Sequence, residues 1–152
     1  MPGAGAGTHV RNHEQVLEEL RRFHGHLGPY AVVGYRMGLV ANLELGANPF
    51  EKRAVVKTGI GPPLSCIIDG IQYSSGCTLG KGNLFVSHQR IAEADFSNGE
   101  SLLTVRLLPE IREEIEASLQ NDLEAMARRI FALPAERLLQ MDRGARVADG
   151  DV

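Results

Sequence analysis

Two stretches of this chain gather the side chains able to do chemistry. FHGHLGPYAVVGYRMG, residues 23–38, sets His24 and His26 on either side of a glycine. CIIDGIQYSSGCTLGKGN, residues 66–83, holds both cysteines of the chain together with Asp69, Gln72 and Lys81. In the first stretch, Gly25 frees the backbone to take whatever φ a shared ion demands, and neutral imidazole is the commonest protein ligand for zinc and similar ions. The same pair also serves as solvated loop histidines, or as a site for one general base.

Cys66 and Cys77 are separated by ten residues, the wrong spacing for the paired C-x2-C knuckle of a structural zinc site. Cys66 stands one helical turn before Asp69, which puts a thiol and a carboxylate on one helix face. Cys77 stands four residues before Lys81, whose ammonium is expected to lower the thiol pKa. Alone, each cysteine reads more readily as a buried inert thiol. Taken with the histidines, they make a His2Cys set with one open position, the kind that binds and activates a small ligand. The expected metal ligands are therefore His24, His26, Cys66 and Cys77. The expected reactive groups are Cys77, Lys81 and Asp69, either through a Cys77 thiolate or through a metal-polarised ligand. Gln72, Gly80 and Arg36 are the expected ligand-binding positions.

GCTLGKGN does not meet the requirements of a nucleotide-phosphate loop. Such a loop has four residues between its glycine and the Gly-Lys pair, then Ser or Thr, whereas Gly76 and Gly80 are separated by three and Gly82 follows Lys81. An anion nest of backbone amides beside Lys81 and a tight helix-to-strand connection both remain open.

The elements that must position these groups follow from periodicity and punctuation. Asn12 is placed to cap a helix carrying Val16, Leu17, Leu20 and Phe23, so that His24 falls at a helix exit. Pro29 opens a second helix to about Leu45, with Gly46 as its terminator. Its small residues Ala31, Gly34, Gly38 and Ala41 predict another backbone packed against that face, since helical glycines need such a return. A strand is expected over 53–60, broken by Gly61-Pro62-Pro63, then a helix from about Pro63 to Tyr73 closed by Gly76. Three strands should follow over 84–88, 90–96 and 101–108, antiparallel, the last two joined at Asn98-Gly99 by a type I′ turn. One long helix is expected from Pro109 to about Phe131, and a short one from Pro134 to Met141. The sum is a single α+β domain over residues 11–142, with about four strands in a mixed or antiparallel sheet against helices. Residues 1–10 and 143–152 are expected to be flexible ends.

At 152 residues, 43% hydrophobic and 23% charged, the chain can bury a full core. A net charge of -3 gives no general attraction to nucleic acid or to anionic membranes. No apolar run approaches membrane-spanning length, and the first residues lack signal-peptide character, which points to the cytoplasm. Thiols or metal ligands are expected there before a disulfide.

The two motifs, in this order, resemble the FmdE family associated with formylmethanofuran dehydrogenase. His24 and His26 match its HGH, Cys66, Asp69 and Gln72 its Cys-x-x-Asp-x-x-Gln, and residues 76–83 its GCTxGKGN. The resemblance covers roughly residues 12–108. It implies an α+β fold of the FmdE/GAPDH-domain type, an intertwined homodimer, and a bound transition metal, zinc first, near these histidines and cysteines. It also implies a link to a molybdenum- or tungsten-dependent redox enzyme acting on a C1 carrier, either as a metal-binding protein with its own small-ligand pocket or as a non-catalytic accessory or metal carrier. Two cysteines are too few for an iron-sulfur cluster in this chain. Many members read HGHxCPG, but Gly28 stands at that cysteine position here. Many also carry a C-terminal four-cysteine zinc ribbon, and no cysteine follows Cys77 in this sequence.

Overall fold

A computed structural model describes residues 12–145 of the chain. Among these residues six helices and one five-stranded sheet form in the order α1 (His13–His24), α2 (Pro29–Leu45), β1 (Arg53–Val56), α3 (Cys66–Ser75), β2 (Leu84–Val86), β3 (Glu93–Ser97), β4 (Ser101–Leu107), α4 (Pro109–Ser118), α5 (Leu123–Ala132), α6 (Ala135–Leu138) and β5 (Leu139–Ala145). The sheet order is β2-β1-β3-β4-β5. β1 and β2 run parallel and the remaining pairs antiparallel. The fold is thus a mixed α+β sheet with helices, carrying one strand more than the sequence leads one to expect.

Helix α2 is the axis of the molecule. Ten of its residues are buried, including Tyr30, Val32, Val33, Met37 and Ala41, so it is covered almost all round. The expected partner backbone is α3. A Cβ on Gly34 would lie 2.0 Å from the carbonyl oxygen of Ile67, and one on Gly70 would lie 1.9 Å from that of Ala31. The absence of both side chains is what lets the two helices touch main chain to main chain. The strands alternate as a half-covered sheet should: Ala94 and Phe96 of β3, and Leu103, Val105 and Leu107 of β4, point into the core. Their neighbours on the opposite face form an ion network in which Lys57 bonds Glu93 and Arg106 bonds both Glu93 and Asp142.

Four local expectations are corrected. β2 is parallel to β1, not part of an all-antiparallel run, because α3 carries the chain back along the sheet and returns it in the same direction. The first strand stops at Val56, where Gly59 takes a φ of +69° and turns the chain away. The Asn98-Gly99 hairpin forms, but only Gly99 has positive φ, so it is not type I′; the Asn98 side chain accepts from the amides of Glu100 and Ser101 instead. The long helix is broken into α4 and α5, because Asp122 caps a new start by accepting from the Ala125 amide. Its apolar period survives the break, with Ile111, Ile115 and Ile130 all in the core.

The short helix expected to reach Met141 ends at Leu138, and the chain becomes β5, paired with β4 from Leu139↔Leu107 to Ala145↔Ser101. The sheet therefore takes in residues 143–145, at the start of the expected tail. The expected flexible segments 1–10 and 146–152 lie outside the described residues.

Candidate functional site

His24 is the last residue of α1, whose start is fixed by a reciprocal capping box between Asn12 and Gln15. Gly25, at φ +105°, ends the helix and donates its amide to the Arg21 carbonyl. That left-handed step turns the chain so that Leu27 enters the core and Pro29 starts α2. The His24 ring is only 8% exposed, and its Nδ1 lies 2.6 Å from Oδ2 of Asp69 in the first turn of α3. A carboxylate at Nδ1 fixes the proton there and leaves Nε2 as the lone-pair nitrogen. That Nε2 is buried and has no hydrogen-bond partner.

The His26 ring stands 4.8 Å from the His24 ring, centroid to centroid. Burial, and His24 whenever that ring is protonated, push the His26 pKa down, favouring the neutral form. A Cβ on Gly28 would sit 2.8 Å from Nε2 of His26, so the bare glycine leaves the ring its place. His24, His26 and Cys66 border one small cavity of about 30 Å³, together with Tyr30, Pro63 and Leu119. That volume is close to the share of one water molecule.

Cys77 is not on this cavity. It lies fully buried in the core just beyond Gly76, its amide donating to the Ser75 hydroxyl. Burial pushes its thiol pKa up, outweighing the Ser75 hydrogen bond and the charges of Lys52 and Lys81. Lys81 does lower the Cys77 pKa, as expected, but burial outweighs it and the net shift is upward. Burial, then the charge of Asp69, raises the Cys66 thiol as well. Among the described residues, no three His, Cys, Asp or Glu side chains are arranged to hold a metal ion.

The remaining motif residues tie the two stretches together. Gln72 donates to Oδ1 of Asp69 at 3.5 Å, a long contact, and accepts from the Leu79 amide at 3.1 Å. The GCTLGKGN segment is a tight helix-to-strand connection: Asn83 accepts from the Thr78 amide and donates to the Pro49 carbonyl, and Gly76 packs against Pro49. Lys81 bonds the Thr78 hydroxyl on the exposed side of that loop, next to Gly80. Arg36 donates to the carbonyls of Ile130 and Phe131, closing the end of α5. Thus Asp69 bonds His24 and Gln72 meets the site only through Asp69, while Gln72, Lys81, Gly80 and Arg36 do not line the histidine cavity.

Sequence reasoning missed Tyr30 and Glu116. The Tyr30 hydroxyl, on α2, donates to the Glu116 carboxylate on α4. Burial first, then that hydrogen bond, raises the phenol pKa well above its ordinary value. Beyond this pair opens a cleft of about 620 Å³, bordered by the loop 58–64, His88, Arg90, Arg112 and Glu116. The glycines and prolines of that loop were the available signal for it; nothing local marks Arg90 or Arg112, which come from distant parts of the chain.

The family described as FmdE, molybdenum formylmethanofuran dehydrogenase operon, matches residues 23–140, a span that holds both histidines, both cysteines and Asp69. A probable S-adenosyl-L-methionine-binding protein of Archaeoglobus fulgidus is 35% identical over 75 residues, which is 46% of this chain and 20% of that protein. The chain thus matches about a fifth of that relative's length. The crystal structure of a tungsten formylmethanofuran dehydrogenase FmdE-like protein from Syntrophus aciditrophicus superposes with a TM-score of 0.66 at 21% identity, over 91% of this chain and 74% of that one.

Proposed function

Since this chain belongs to the FmdE family, we propose that it is a metal-binding protein whose His24 and His26 hold one transition ion, zinc first, in a pocket for a small ligand. The observation that carries this reading is the buried, unpartnered Nε2 of His24, whose other nitrogen is held by Asp69. A carboxylate behind an imidazole is the usual support of a metal-ligating histidine, fixing tautomer and ring direction and raising basicity. His26 supplies a second imidazole nitrogen beside it, and Cys66 borders the same cavity, so the donor types fit zinc. Cys77 is left out of this set, being in the core. When bound, the ion supplies Lewis acidity toward a C1-type or carboxylate-bearing ligand. The chain's own part is to hold the two rings beside Tyr30, Pro63 and Leu119 and to keep Asp69 at His24.

The same reading takes the protein as a homodimer that serves a redox enzyme. Leu43, Phe50 and Leu79, at 85%, 78% and 77% exposed, are apolar side chains available to a dimer interface. Sedimentation of the purified chain tests the dimer.

Elemental analysis of protein purified without added metal tests the site. The expected result is about one ion per chain in the wild type, lost in His26→Ala, reduced in Cys66→Ala and retained in Cys77→Ala. A metal-free wild type, or unchanged content in His26→Ala, overturns the proposal.

A further inference from the structure

The cleft beside the histidine pocket has a different chemistry. Its volume, about 620 Å³, is within the range of small-molecule sites. Two arginines from separate elements meet on it: Arg90, in the loop between β2 and β3, and Arg112, in the first turns of α4. Arg21, Arg106, Arg128, Arg129 and Arg143 are ion-paired, Arg36 donates to carbonyls and Arg53 lies over the Phe85 ring, whereas among the described residues Arg90 and Arg112 have no carboxylate partner, and Arg112 faces the Tyr30 hydroxyl. The carboxylate on the rim, Glu116, takes the Tyr30 hydroxyl instead. Arg90 is also the one non-glycine residue with positive φ, +61°, among the described residues. That left-handed conformation costs about 1 kcal/mol or more for a side chain without local hydrogen bonding.

We propose that this cleft binds a small organic anion through its carboxylate or phosphate oxygens, with Arg90 and Arg112 as the two cationic contacts. Planar guanidinium groups match the oxygens of either group two at a time, and they stay charged at any working pH. His88 is exposed on the same rim. The cleft and the histidine cavity share Pro63 and meet at the Tyr30–Glu116 bond, so an anion held by the arginines has its other end toward Tyr30. The binding itself does not depend on a metal at His24 and His26.

Calorimetric titration at low salt with inorganic phosphate and, separately, with malonate tests this on the full chain. Saturable binding of at least one is expected, and which one binds assigns the oxyanion. Arg90→Gln and Arg112→Gln should each weaken it about tenfold or more, a loss of about 1.4 kcal/mol. Arg90→Lys should weaken it less than Arg90→Gln. Arg22→Gln, an exposed charge on α1, and His26→Ala should leave it unchanged, so that failure of the metal reading does not decide this one. No saturable binding of either anion by the wild type, or arginine variants that behave as Arg22→Gln does, overturns the proposal.

Discussion

Nδ1 of His24 and Oδ2 of Asp69 are 2.6 Å apart although the two residues lie 45 positions apart in the chain. One sits at the end of α1 and the other in the first turn of α3, so the bond is made only when both helices have docked on α2. With Nδ1 so engaged, the free nitrogen of His24 is directed by Asp69. Asp69→Asn keeps the shape and removes the charge. It is expected to lower zinc affinity 10- to 100-fold, measured by competition with a chromogenic chelator, while the far-ultraviolet circular dichroism stays as in the wild type.

Gly34→Ala and Gly70→Ala should both be severe. Each new Cβ meets backbone, the Ile67 carbonyl in one case and the Ala31 carbonyl and Tyr35 amide in the other, and backbone of a packed helix pair cannot step aside. Overpacking of this kind costs about 3 kcal/mol, read as a lowered urea midpoint. Gly80→Ala, where nothing lies near the added atom, is the control and should stay within about 0.5 kcal/mol of the wild type.

The Lys57–Glu93–Arg106 network predicts an acid sensitivity. Burial raises the Glu93 pKa, but hydrogen bonds from Lys57 and Arg106 outweigh it and hold the carboxyl below its ordinary value. A carboxyl with a depressed folded pKa contributes stability above its unfolded value, near 4.5, and loses it as pH falls through the folded value. Lys57→Met should therefore cost about 1.5–3 kcal/mol at pH 7. The gap between variant and wild type should narrow as denaturation is followed from pH 5 downward.

The two thiols should differ in reactivity. Cys77 is fully buried and Cys66 is half-buried on the wall of the histidine cavity. In native protein, an aromatic disulfide reagent at pH 8 should modify Cys66 slowly and Cys77 only after denaturant is added. Fast modification of Cys77 in the native state would contradict its placement.

Much of the frame was legible because its signals are local. Asn12 through its side chain, and Pro29, Gly46 and Gly76 through their backbone preferences, punctuate helices, and the observed starts and stops follow them. The stripe of small residues on α2 announced a close neighbour, and α3 is that neighbour. What local signals misjudged were choices made by pairing. Residues 139–145 join the sheet because β4 offers an open edge, and β2 runs parallel because α3 lies between it and β1. Neither partner is visible in the segment itself.

The site divides along the same line. Through its resemblance to one family the sequence put His24, His26, Cys66 and Asp69 in that family's motifs, and by spacing it determined that GCTLGKGN is no nucleotide loop. Only the tertiary structure decided that Asp69 supports His24, that Cys66 borders the histidine cavity while Cys77 is packed in the core, and that Arg36 closes a helix end. It also brought Arg90 and Arg112 to one cleft. Side-chain identity and helical period are properties of neighbours in the chain. Burial, charge pairing and the meeting of distant residues depend on how helices pack on the sheet, and that packing sets which thiol is accessible and which arginines have a carboxylate beside them.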